Sequence, residues 1–294
     1  MVVGSINQDT TVLTTSLPSP GETVLGKSHY TGGGGKGANQ AVAAARLGSR
    51  VAMVGRVGHD RQGAELRAAL AEEGIDVGGV GVDPLLPTGI ALITIDDAAE
   101  NTIVVSPGAN GGLTPEHLDA QLVGTGRVVV IQLEIPLGTV LAAARMCAGK
   151  LLLNPAPAQA LPDELMDRVD LLVPNRSELA VLSGRGEPAD LEQALAAVRS
   201  LDRNRPTIVT LGAQGALIVD GAEEHLISPP RVDPVDPTGA GDAFCGALAD
   251  SLSRGQELVA AVRRAVAAGA LATTRAGAQS AMPSAEEVDL ALRI

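Results

Sequence analysis

Residues 31–40 read TGGGGKGANQ: four glycines, a lysine, another glycine, and then residues that open an expected helix. The lysine suggests a P-loop, in which the Ser or Thr directly after the Lys holds Mg²⁺. Gly37 follows Lys36 here, and Tyr30 stands where the motif's first glycine belongs. Gly32, Gly34 and Gly37 satisfy G-x-G-x-x-G, as many glycine-rich runs would. The dinucleotide fingerprint also wants an acid roughly twenty residues on, to hold ribose, but positions 50–56 read RVAMVGR. Both readings fail at the residue that would carry the chemistry. The stretch has to be placed by what surrounds it.

Working outward, short apolar runs alternate with helical segments. MVVGSI (1–6) and VAMVG (51–55) read as buried strands. Residues 37–47 between them read as a helix closed by Gly48, and 60–73 as another closed by Gly74. VGGVGV (77–82), GIALITI (89–95) and NTIVVS (101–106) alternate or run β-branched between turn residues. That rhythm predicts a small antiparallel sheet inserted into the αβ chain. The alternation resumes with strands RVVVIQL (127–133), KLLLN (150–154), DLLVPN (170–175) and TIVTLG (207–212). Helices separate them, the first at 136–148 with Pro near its first turn. Residues 216–228 form a hairpin, 242–254 and 256–272 two helices around Gly255, and a short helix follows Pro283. The pattern argues for one α/β domain over 1–294, a mainly parallel sheet with helices on both faces. Ligands of such folds sit outside the carboxyl ends of the strands. That rule selects the loops at 7–9, 32–39, 134, 154–157, 174–178, 211–215 and 236–242.

Composition agrees. The 294 residues are 45% hydrophobic, yet Tyr30 and Phe244 are the only aromatics. A core of Val, Leu, Ile and Ala suits a buried parallel sheet. A net charge of −12 argues against a nucleic-acid partner, which needs a basic face. It does not exclude an anionic ligand held by backbone N–H groups. Cys147 and Cys245 lie in apolar segments without metal-ligand spacing and read as free thiols of a cytoplasmic protein. No basic-then-apolar leader precedes the first strand, and arginines interrupt every long apolar run, so neither export nor a membrane partner is expected.

The sharpest chemical pattern is DPTGAGD, Asp236 to Asp242, which leads into a helix. The small residues Gly239, Ala240 and Gly241 let backbone amides close around an anion at the helix N-terminus. Asp242 in the first turn would repel a phosphate, but it could take a proton from a hydroxyl attacking one. A glycine turn capped by an Asp is the plain alternative. Asp236 tips the balance, since a second acid in so small a loop suggests a bound cation. No Lys or Arg lies between Arg231 and Arg254 to neutralise it.

With these residues in view, the chain resembles the ribokinases of the PfkB family of carbohydrate kinases, over nearly its full length. GGGKGANQAVAAARLG (33–48) and DPTGAGDAFCGAL (236–248) match the family's two signatures, and LNPAPA (153–158), VPNRSE (173–178) and TLGAQG (210–215) follow in register. The resemblance implies a ribokinase-like three-layer αβα fold with a small antiparallel β lid in segments 10–31 and 83–107. It implies that the opening glycine loop holds a sugar and not a nucleotide. The implied sugar residues are Asn7, Asp9, Gly35, Lys36, Asn39 and Glu134, with Asp242 as base and the amides of Gly239, Ala240, Gly241 and Asp242 as anion hole. The implied ATP residues are Asn175, Thr210, Leu211, Gly212, Ala213, Gln214, Gly215 and Gly241. Glu178 is linked to Mg²⁺, through water, as the hard ion prefers. Asp236, Thr238, Ala272, Arg275 and Gly277 correspond to a potassium site. A potassium-site Ser is replaced here by Ala281, with Ser280 one residue early, and an adenine-side Asn or His is replaced by Ala265. The implied activity is ATP-dependent phosphorylation of D-ribose at the 5-hydroxyl, by a cytoplasmic homodimer joined through the lid. A kinase of another sugar or a nucleoside, and a non-catalytic sugar sensor, are the rivals. An intact Asp242 argues against the sensor.

Overall fold

The computed structural model describes residues 1–98, 100–202 and 204–293, so position 99 of the expected lid segment and position 294 of the expected domain lie outside the described residues. In chain order the strands are β1 (Val2–Val3), β2 (Asn7–Leu13), β3 (Ser28–Gly34), β4 (Ala52–Gly58), β5 (Asp76–Asp83), β6 (Gly89–Ile95) and β7 (Asn101–Ser106). They continue with β8 (Val128–Ile131), β9 (Lys150–Leu153), β10 (Leu171–Leu172), β11 (Thr207–Thr210), β12 (Ala216–Asp220) and β13 (Glu223–Ile227). The helices are α1 (Lys36–Arg46), α2 (Arg61–Glu72), α3 (Ala120–Gly124), α4 (Leu137–Met146), α5 (Asp163–Arg168), α6 (Arg176–Ser183), α7 (Leu191–Arg199), α8 (Ala240–Ser253), α9 (Leu258–Ala272) and α10 (Ala285–Ala291). Among the described residues no helix is long and apolar enough to cross a membrane.

Nine strands form the main sheet, in the order β13-β12-β11-β10-β9-β8-β1-β4-β5. Pairing is parallel from β5 to β11 and antiparallel in the terminal hairpin. Successive side chains of a strand point to opposite faces, and here both faces are covered. Val128, Val130 and Leu152 join a cluster with residues of α1, α2, α8 and α9. Val129, Ile131, Leu151 and Leu153 join one with residues of α3, α4 and α5. This is why the strands read as unbroken apolar runs. Alanines fill most of the α1, α8 and α9 faces, with Phe244 the aromatic among them, so those helices lie close together.

β1 sits inside the sheet. The chain goes to one side for β4 and β5, and returns later to the other side at β8. The order therefore reverses between β1 and β8, the place where such sheets bind ligands. Residues 5–7 and 132–134 emerge there.

A separate four-stranded sheet has the order β3-β2-β6-β7. Its outer pairs are antiparallel and its central pair, β2 with β6, is parallel. The expected segments 10–31 and 83–107 fall on it, although its strands start at Asn7 and Gly89. Two expectations need correction. Residues 77–82 do not join this sheet; they lie in β5 and extend the main sheet in parallel with β4. Of 1–6, only Val2–Val3 is strand, because the chain then crosses from the main sheet to the small one.

Candidate active site

The opening glycine run forms the end of β3 and the turn into α1. Gly35 caps α1 with φ at +87°, and a Cβ there would lie 2.8 Å from the Asn7 amide nitrogen. A Cβ on Gly34 would lie 2.1 Å from the Asp9 carboxyl carbon. Glycine is required because β3 runs directly across the Asp9 side chain. No phosphate is needed to explain it.

Around this turn the expected sugar residues converge. Glu134, after β8, accepts hydrogen bonds through one oxygen from the Ser5 hydroxyl at 2.5 Å and the Lys36 backbone N–H at 3.1 Å. Burial, then the charges of Glu134 and Asp242, push the Asp9 carboxyl up to about 7, and Lys36 pulls it down in part. Burial alone would lower the Lys36 ammonium, but Asp242, Glu134 and Glu178 together hold it above its ordinary value. Asn7 is buried and accepts from the Asn110 amide at 2.8 Å. Asn110 in turn clamps the Ile6 backbone N–H and carbonyl, at 2.9 and 3.0 Å.

Asp242 is buried in the first turn of α8. Asn39 Nδ2 donates to one of its oxygens and Gln40 Nε2 to the other, each at 2.9 Å. Asn39 Oδ1 is buried without a partner, an acceptor left open beside the carboxylate. Gly239 caps the helix at φ +77°. Of the expected anion-hole amides, Ala240 N–H is already taken by the Pro237 carbonyl at 3.2 Å. Those of Gly239, Gly241 and Asp242 make no backbone hydrogen bond, so the hole rests on these three.

The expected nucleotide residues assemble on the neighbouring strand ends. Asn175 bridges to Thr210. Leu211 is buried, Gly212 to Gln214 form an exposed turn, and Gly215 closes it at φ +89°. Arg176 spans this turn, donating to the Gln214 side chain and the Pro188 carbonyl. Glu178 forms a capping box with Asn175, accepting from its backbone N–H and side-chain amide, both at 2.9 Å. Each oxygen thus accepts one hydrogen bond and keeps lone-pair capacity for a further donor or a water. Burial pushes its carboxyl up, against the Asn175 backbone hydrogen bond. Ala265 is wholly buried in α9 and offers adenine no surface.

Asp236 accepts the N–H of Thr238 at 2.9 Å and of Gly277 at 2.8 Å. These two amides engage the acid without neutralising its charge, and they tie the loop before α8 to the loop after α9. The carbonyls of Thr238, Ala272, Arg275 and Gly277 accept no backbone hydrogen bond. A carboxylate with four free carbonyls is an oxygen set that fits a hard monovalent cation. Ser280 donates its hydroxyl hydrogen to the Ala276 carbonyl at 2.9 Å, which leaves the lone pairs of its oxygen free to accept. Between the small sheet and this loop lies a cavity of about 180 Å³, lined by Asp9, Tyr30, Gly33, Ile93, Thr238 and Gln279 among others.

Ser5, Gln40, Asn110, Gln132 and Asn154 were not expected here. Gln40, Gln132 and Asn154 lie inside or beside stretches already singled out by motif. Asn110 carries no signal of its own.

A family model described as pfkB family carbohydrate kinase matches residues 1–285. A ribokinase of Haemophilus influenzae is 38% identical over 97% of this chain and 95% of its own length. A deoxyribokinase of Salmonella typhi is also 38% identical, over 97% of this chain and 96% of its own. The structure of Arabidopsis thaliana ribokinase complexed with ribose and ATP superposes with a TM-score of 0.92 at 32% identity, covering 100% of this chain and 98% of that one.

Proposed function

The chain belongs to the pfkB family of carbohydrate kinases, and on that premise we propose that it phosphorylates D-ribose with ATP, giving ribose 5-phosphate and ADP. One observation carries the reading. A buried carboxylate, Asp242, is pinned by two side-chain amides beside the open amides of Gly239 and Gly241 at the N-terminus of α8. That places a proton acceptor next to a site for anionic phosphoryl oxygens. The sugar lies between the small sheet and the turn into α1, with Asn7, Asp9, Lys36, Asn39 and Glu134 offering donors and acceptors to its hydroxyls. Asp9 can accept from a vicinal diol. Asp242 takes the proton of the 5-hydroxyl as the hydroxyl attacks. The open amides would face the charge that develops on the transferred group. ATP occupies the 210–215 turn beside Asn175.

Mg²⁺ accompanies ATP and neutralises its phosphate charge, with Glu178 reaching it through water. Asp236 and the carbonyls of Thr238, Ala272, Arg275 and Gly277 would hold a monovalent cation, K⁺ in our reading, which would stiffen the loop that presents the anion hole. The small sheet serves as lid and as the contact of a homodimer. We place the enzyme in the cytoplasm, where ATP is available and the free thiols of Cys147 and Cys245 persist.

The deoxyribokinase relative is as similar as the ribokinase, which makes 2-deoxyribose the competing substrate. Coupled assays across pentoses, hexoses and nucleosides test the substrate, and ribose is expected to give the highest kcat/KM. Asp242→Asn is expected to keep ribose and ATP binding and to lose about 10²–10⁴-fold in kcat. Near-native turnover would remove Asp242 as the base.

A further inference from the structure

Behind Asp242 stands a chain of buried amides that the activity does not by itself explain. Gln40 donates through Nε2 to Asp242 at 2.9 Å, and accepts through Oε1 from Gln132 Nε2 at 2.6 Å. Both glutamines are closed to solvent, at 0% and 1% exposure. Gln40 Nε2 also reaches Asn154 Oδ1 at 3.2 Å, and Asn154 donates onward to the Val173 carbonyl at 3.0 Å.

The direction of this chain follows from chemistry alone. A carboxylate only accepts hydrogen bonds. The Gln40 atom facing Asp242 is therefore its NH2, and the atom facing Gln132 is its oxygen. Gln132 must then present its own NH2, so its oxygen points away, where it is buried without a partner. An orphaned buried acceptor costs stability. Stability gives no reason to keep a glutamine at 132, whereas holding Gln40 in one orientation does. The helices are fitted to the contact as well. Gly246 lies one turn after Asp242 on the same face of α8, and a Cβ there would sit 2.6 Å from the Gln40 carbonyl oxygen. α1 can seat against α8 so closely only because that Cβ is missing.

We propose that Gln40, locked by Gln132, is a positioning residue for the phosphoryl transfer. Gln40 and Asn39 grip the two oxygens of Asp242, stop the carboxylate from turning, and leave a lone pair aimed at the sugar hydroxyl. The proposal rests on the reading of Asp242 as the base.

The test measures kcat and both KM values for Gln40→Leu and Gln40→Glu, with Asp242→Asn as control. Gln40→Leu keeps the bulk and loses the donor. Its kcat is expected to fall about 10–100-fold, with ribose and ATP KM little changed, the pattern of an interaction that acts in the transition state. Gln40→Glu keeps the shape and decides the matter if the leucine variant fails to fold. A carboxylate in place of the donor repels the Asp242 carboxylate, so kcat is expected to fall about 10–100-fold with both KM values little changed. Lys36, Asp9, Glu178 and Cys245, which also feel Asp242, are unaltered in that variant. Should Asp242→Asn be inactive while Gln40→Leu or Gln40→Glu turns over at the native rate, positioning by Gln40 is overturned and the base assignment stands. An Asp242→Asn variant with native kcat overturns the base assignment instead.

Discussion

On the proposed reading Asp9 offers an acceptor to the sugar from a place that resists negative charge. Burial, and after it the charges of Glu134 and Asp242, hold its carboxyl up at about 7. Between pH 4 and 7 the folded chain binds the proton that the unfolded chain has released. Stability therefore falls as pH rises through that window, and at pH 8 the folded protein carries the cost of a buried charge. Sugar binding has the opposite sign, because the ionised carboxylate is the better acceptor for two hydroxyls. Ribose KM is expected to fall as pH rises from 6 to 8, and Asp9→Asn is expected to abolish that dependence while raising KM throughout. Thermal melts give the second half: Asp9→Asn should melt above the wild type at pH 8, by about 2–4 °C for each kcal/mol relieved, and gain much less at pH 5. A ribose KM that is flat in the wild type would refute the assignment. Residues of this kind were legible in the sequence where they lie in a short motif, Lys36 and Asn39 in one and Asp242 in another. Gln132 and Asn110 were not, because the groups they hold lie 92 and 104 residues away and no local pattern records such a pair.

Helix α1 shows how an element's end can be completed from a distance. Its N-cap, Gly35, has no side chain to cap it. Glu134, 98 residues on, supplies the carboxylate that receives the Lys36 N–H, where the helix dipole favours negative charge. Glu134 is thus a structural acid as well as a candidate sugar ligand. Glu134→Ala is expected to cost about 1–2 kcal/mol of stability, read by urea unfolding, and to raise ribose KM. Glu134→Gln, which keeps an acceptor, should recover most of the stability. An alanine variant as stable as the wild type would show that the cap contributes nothing. The loop before α8 invites a similar test. With sugar and Mg-ATP saturating, replacing K⁺ by a bulky organic cation at constant ionic strength should lower the rate; identical rates would leave Asp236 as the clasp of two amides and no more. At this scale the α/β alternation was legible from apolar runs and glycine stops. The place of β5 was not. VGGVGV has no long apolar run and its edge position leaves it half exposed, so only its pairing with β4 distinguishes it from a strand of the small sheet.

The molecule as a whole leaves one surface unfinished. β7 forms an edge of the small sheet, and all of its residues are exposed. Leu92 and Val104 are directly opposite one another on β6 and β7, and they stand 51% and 66% open to solvent. Ala91 and Ile93, on the other face of β6, are buried. The sheet thus has one face turned to the cavity and an apolar patch turned outward, next to unpaired backbone groups on its edge. Both features are ones that proteins ordinarily cover. A second copy of the same sheet would cover the patch symmetrically, as closed dimers do. It would also stiffen four strands that otherwise rely on a few connections to the main body, and a stiffer lid holds Asp9 and Asn7 in place over the sugar. Light scattering is expected to find a dimer at micromolar concentration, and Leu92→Lys with Val104→Lys is expected to leave a folded monomer. On the proposed reading the small sheet carries sugar residues and the ATP turn lies on the main sheet, so ribose KM should rise in that monomer while ATP KM stays near native. A wild-type monomer, or a lysine variant that remains dimeric, would show that this face is not the contact. A dissociated variant with native ribose KM would separate assembly from sugar binding.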